Sequence, residues 1–112
     1  MASFSFTTQA EADRAIIRTR GYLSRTAGEQ LEKEIVRLLD GGVRRFVVNL
    51  RETDLINSVG ISILIGVIER VRGLGGELAF SELTQVNEEI FRIMGLTRHA
   101  RLLRNDGELE DR

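Results

Sequence analysis

Two hydroxyl- and amide-bearing residues, Asn57 and Ser58, stand with Gly60 at the mouth of an apolar run, in 54-DLINSVGISILIGVIERVRGLGG-76. A serine there can do one of two things. It can cap the helix, its oxygen satisfying an orphan amide for about 1 kcal/mol; Asn57 could do the same from the preceding position. Alternatively its hydroxyl stays free to be read or modified. A helix N-terminus tolerates a phosphate group, so a phosphate on Ser58 would leave the fold intact. It would also add about −1.5 to −2 charges to a rim made of Leu55, Ile56, Val59 and Ile61. With no side chain on Gly60, the backbone there is open to close approach.

Other chemistry is poorly provided for. The chain has no cysteine, which excludes disulfides, thiolate metal sites and cysteine nucleophiles. His99 is the sole histidine and sits between Arg98 and Arg101, as a solvated residue would. No G-x-S-x-G elbow surrounds Ser58, so a serine nucleophile would lack its usual setting. Gly73-x-Gly75-Gly76 follows a helix and precedes a strand, the reverse of a phosphate-cradling loop, and reads as a helix stop. No enzyme and no cofactor is expected.

These residues must be positioned by a single domain of 112 residues, enough for one hydrophobic core. The 16 basic and 17 acidic residues are scattered, and no nucleic-acid footprint is visible. The longest apolar run, Ile61 to Ile68, is far short of the roughly 20 residues that span a bilayer. The start, MASFSFTTQAEADR, lacks the basic and apolar regions of a secretory signal. A cytoplasmic location is expected, with no membrane partner.

Along the chain, Ser3–Gln9 alternates and predicts a strand, and Arg14–Thr19 a second strand, joined as a hairpin. Gly21–Gly28 reads as a loop, with Ser24 and Thr26 as candidate caps. Leu31, Ile35, Leu38 and Leu39 mark an amphipathic helix ended by Gly41-Gly42. Phe46–Leu50 predicts a buried strand, Arg51–Asn57 a loop, and Ser58–Arg72 a helix whose apolar residues are for the most part buried. Glu77–Ser81 is a further strand, Val86 to Met94 a helix closed by Gly95, and Leu102-Leu103 a short last strand. This alternation predicts an α/β fold: a mixed four- to five-stranded sheet with helices packed on it. Residues 1–104 form the domain, and 105–112, with Asp106, Glu108, Glu110 and Asp111, a loose charged tail.

The block 47-VVNLRETDLINSVGISILIGVIERVRGLGGELAF-80 resembles the STAS domain of bacterial anti-sigma factor antagonists. That family has a strand, an Asp-Ser-Ser/Thr-Gly turn, an apolar helix, a Gly-Gly turn and a strand. Gly21-Tyr22-Leu23 matches its Gly-x-Leu, and Met94-Gly95-Leu96 the Gly-Leu that closes its third helix. The resemblance implies a regulatory switch that binds, when unphosphorylated, an anti-sigma factor that is also a serine kinase, and so frees a sigma factor. Ser58 takes the place of the phosphorylated serine, and a serine phosphatase would reverse the modification. The partner surface so implied comprises Gly21, Leu23, Ser24 and Arg25 with Leu55, Ile56, Asn57, Ser58, Val59, Gly60 and Ile61. Two departures stand out: Asn57 and Ser24 replace aspartates usual in the family. A monomer or weak dimer is expected; the alternative reading is a STAS scaffold subunit of a larger stress-signalling assembly.

Overall fold

The computed structural model describes residues 3–110. Five strands form one sheet in the order β1-β2-β3-β4-β5: β1 Ser5–Glu11, β2 Arg14–Leu23, β3 Arg45–Ile56, β4 Glu77–Ser81 and β5 Leu102–Leu103. β1 and β2 form the expected antiparallel hairpin, turning at Ala12 with φ 57°, and the remaining pairs are parallel. Between the parallel strands run α1 Arg25–Asp40, α2 Ser58–Gly73 and α3 Gln85–Ile93. The fold class matches the expected mixed α/β sheet.

All three helices contribute to one core. Leu31, Ile35, Leu38 and Leu39 of α1 and Ile61, Leu64, Val67, Ile68 and Val71 of α2 meet Ile17, Phe46, Val48, Leu50, Leu78 and Phe80 of the sheet. α3 adds Phe91, whose ring stands edge-on to Phe80 at 5.0 Å between centroids, an arrangement that contributes about 0.5–1.5 kcal/mol beyond area burial. Only Ile63 and Ile65 of the apolar run of α2 remain half-buried, packed against this core.

Two expected loops are strands. Residues 21–23 continue β2, and Arg51–Ile56 continue β3, because the two ends pair with each other: Gly21 with Thr53, Tyr22 with Leu55 and Leu23 with Ile56. Gly21 serves in that strand as a kink, with φ 97°, where a Cβ would lie 2.0 Å from the carbonyl oxygen of Ser3. α1 accordingly starts at Arg25, four residues before the first position expected, with Ser24 as its cap and Thr26 inside the first turn.

The charged tail is also not loose at its start. Asp106 accepts hydrogen bonds from Ser81 and from Asn49 Nδ2 (2.9 Å), and pairs with Arg18 at 3.2 Å, on the face of the sheet away from the helices. Asn49 holds Glu82 as well, at 2.8 Å. This polar clasp sits beside a small second cluster of Val47, Ala79 and Leu103. Asp111 lies outside the described residues.

Candidate functional site

The site forms where β3 hands over to α2. The backbone N–H of Asn57 donates to the Leu23 carbonyl at 2.9 Å, holding the residue extended (φ −89°, ψ 144°), the geometry an N-cap requires. Asn57 Oδ1 then accepts from the Val59 N–H at 2.7 Å. Its Nδ2 donates to the phenol oxygen of Tyr22 at 3.1 Å. Both ends of the amide are used, which fixes its orientation.

Because Asn57 is the cap, Ser58 is the first helical residue and its hydroxyl is not needed there. Ser58 is exposed, and among the described residues its hydroxyl makes no hydrogen bond; its carbonyl accepts one from Ser62 Oγ at 3.2 Å. Of the two residues that could cap the helix, Asn57 does so. Leu55, 62% exposed, and Val59, 45% exposed, flank the hydroxyl.

Of the surface expected from sequence, Arg25, Leu55, Ser58 and Val59 are exposed, and Ser24 and Asn57 are half-buried. Gly21, Leu23, Ile56, Gly60 and Ile61 are buried. Those five shape the ground beneath the turn. Leu23 and Ile56 point inward from their strands, and Ile61 from the first turn of α2, into the core cluster. Gly60 has a steric task. A Cβ there would stand 2.8 Å from the Leu23 carbonyl oxygen and 3.0 Å from that of Ser24. The first turns of α1 and α2 meet on two glycines, since a Cβ on Gly28 would lie 3.4 Å from the Gly60 Cα.

Arg25 extends from the start of α1 toward solvent and pairs loosely with Glu29 at 3.6 Å. On the neighbouring strands Arg20 and Glu52 form a surface pair at 2.9 Å; the hydrogen bond between them holds Glu52 below the ordinary glutamate range and raises Arg20. Among the described residues no carboxylate takes part in the bonds of the turn itself. Tyr22 and Gly28 are members of the site that sequence reasoning missed. Tyr22 is the only tyrosine of the chain, but nothing in the local pattern points it at Asn57.

No group of three or more His, Asp or Glu side chains is placed to hold a metal ion among the described residues, and none of the described helices is long and apolar enough to cross a membrane. A partly open hollow of about 220 Å³, lined by residues that include Gln9, Arg14, Val47 and Asp106, lies on the helix-free face, away from the Ser58 turn.

The family model of the STAS domain matches residues 5–108. The chain belongs to the STAS-domain family. A Bordetella bronchiseptica protein that carries the name anti-sigma factor antagonist BtrV is 36% identical over 76 residues, 68% of this chain. The match spans 66% of that relative's length, just under two thirds. Among solved structures, the unphosphorylated form of the anti-sigma factor antagonist SpoIIAA superposes with a TM-score of 0.82 at 18% identity, covering 96% of this chain and 94% of that one. The phosphorylated form of the Bacillus cell fate determinant SpoIIAA gives 0.74 at 19% identity, covering 96% and 97%. At those identities the structural likeness concerns the fold.

Proposed function

We propose that the protein is an anti-sigma factor antagonist: unphosphorylated, it docks an anti-sigma factor that is also a serine kinase, and phosphorylation of Ser58 ends docking. The observation that carries this reading is the free, exposed hydroxyl of Ser58 between Leu55 and Val59, with Asn57 doing the capping. The names of the relatives support the partner class, and a related structure in phosphorylated form supports the modification.

The chemistry is a phosphoryl transfer. The Ser58 oxygen attacks the γ-phosphorus of ATP on the kinase, the bond to the ADP oxygen breaks, and the hydroxyl proton leaves to a base of the kinase. The product sits at a helix N-terminus, where the macrodipole favours an anion. The same charge lies beside the exposed faces of Leu55 and Val59, where it opposes burial of apolar surface against a partner. A phosphatase that hydrolyses the phosphoserine restores docking. Asn57 and Ser24, in place of aspartates, make this docking surface less acidic than the family pattern.

The test is affinity capture from lysate of the source organism with wild type, Ser58→Ala and Ser58→Asp, followed by phosphosite mapping after Mg-ATP is added. Wild type and Ser58→Ala should retain a kinase-like partner, and Ser58→Asp should bind it at least about tenfold more weakly, about 1.4 kcal/mol. Phosphate should appear on Ser58. Equal retention by all three proteins, with Ser58 unmodified, sinks the reading.

A further inference from the structure

The two edges of the sheet are protected very differently. Sheet edges carry unpaired N–H and C=O groups, and proteins ordinarily blunt them with charges, proline, bulges or brevity. β5 is blunted: it has two residues and lies between Arg101 and Arg104. β1 has neither proline nor bulge nor brevity, and its one charge is Glu11, at its last position. It runs for seven residues, pairs with β2 through seven consecutive positions without a register shift, and contains no proline. From Ser3 to Ala10 (SFSFTTQA) no residue is charged, in a chain where 29% of residues are. Its sequence is also rich in phenylalanine and threonine, which favour strands. Among the described residues no backbone group pairs with its outer edge.

We infer that β1 is a docking edge for a second copy of this chain, the two β1 strands pairing antiparallel across a two-fold axis to continue the sheet. The partner is assigned by three observations. In the register centred on Thr8, Ser5 faces Glu11 of the other copy, Phe6 faces Ala10 and Thr7 faces Gln9, so no like charges oppose each other. The helix above the strand brings no uncompensated carboxylate to the axis, because Glu34, which accepts from Thr8 Oγ at 2.6 Å, is bonded twice by Arg37 at 2.8 and 2.9 Å. Head-to-tail pairing, which would grow an open filament, has no acceptor edge in the two-residue β5. The closed pair is what remains.

Such a pairing also covers the flanks of Phe4 and Phe6, which lie half-buried at the rim of the core with centroids 6.1 Å apart. It leaves the Ser58 turn open, since that turn follows β3 and β2 lies between β3 and the docking edge. The interface is small, so the dimer is reversible.

Light scattering or sedimentation of the purified protein over a concentration series provides the test. The mass should rise from one chain toward two as concentration increases. The double variant Thr7→Lys/Gln9→Lys, checked for native circular dichroism, should weaken association at least about tenfold by placing like charges across the axis. A chain without cysteine allows a second readout. The double variant Thr7→Cys/Gln9→Cys, in which each new thiol faces one of the other copy, should give a disulfide dimer on oxidation, and Glu69→Cys on α2 should not. A wild-type mass that stays at one chain up to about 1 mM overturns the inference. So does a dimer indifferent to the lysines, or cross-linking as strong at Glu69→Cys as on β1.

Discussion

The mouths of α1 and α2 lie against each other, and each has a serine, but the two serines do different things. At α1 the chain places Ser24 at the cap, and its Oγ accepts from the Ala27 N–H at 3.2 Å. At α2 the cap is Asn57, and Ser58, one position further on, is left over. A shift of one residue relative to the cap separates a structural hydroxyl from an available one. What decides the shift is the strand before it: the bond from Asn57 N–H to the Leu23 carbonyl fixes where β3 ends.

The comparison breaks most completely at the point where the two mouths touch. Gly60→Ala forces a Cβ against the backbone of Leu23 and Ser24, neither of which can rotate away. The expected loss is about 1–3 kcal/mol, read as a lower midpoint in urea with an unchanged slope. An unchanged midpoint would mean that the two helices separate freely and that the mouths are not coupled.

A smaller effect sharpens the contrast between the serines. Asn57→Ala and Ser24→Ala each remove a cap and should each cost about 1 kcal/mol. Ser58→Ala removes a hydroxyl with no bond and should stay within about 0.5 kcal/mol of wild type. If Ser58→Ala costs as much as Ser24→Ala, the hydroxyl has a structural use and the division of labour is wrong.

The smallest effect concerns charge, which α1 carries over β1. The Glu34 carboxyl lies below the ordinary glutamate range, first because Arg37 is hydrogen-bonded to it, with Thr8 assisting against the opposing effect of burial. A carboxyl depressed in the folded state contributes stability that is fully present above its unfolded value. That contribution disappears as pH falls through the lower folded value. Denaturation midpoints of Glu34→Gln and wild type should therefore differ at pH 7 and converge in acid; a constant gap from pH 7 to pH 2 would remove the ion pair as its cause.

Much of this arrangement was legible in the sequence. Period-two alternation located β1 and the first part of β2, three-and-four spacing located α1, and the glycines after each helix marked their stops. The outer halves of β2 and β3 were missed because their evidence is not local. Gly21, and the charged run from Arg51 to Asp54, look like loop until the two segments are laid side by side, where the ladder continues to Leu23 and Ile56. The site shows the same division. Ser58 could be singled out by its place before an apolar helix, whereas the identity of the cap could not, since Asn and Ser both suit it. Tyr22 became visible only through the fold, 35 residues from its partner. Leu23, Ile56 and Ile61 were placed on the partner surface by the resemblance to the family; in the fold their side chains lie in the core beneath the turn.

The clasp on the helix-free face has a consequence for the order in which the protein is made. Arg18 meets Asp106 across 88 residues of chain, and Asn49 meets it across 57. α1 and α2 can begin to close over β2 and β3 before β4, α3 and β5 have been added. The opposite face cannot be finished until β5 and Asp106 have been synthesised. Val47 and Ala79 are therefore covered only when the last segment of the chain, with Leu103 and Asp106, has been added.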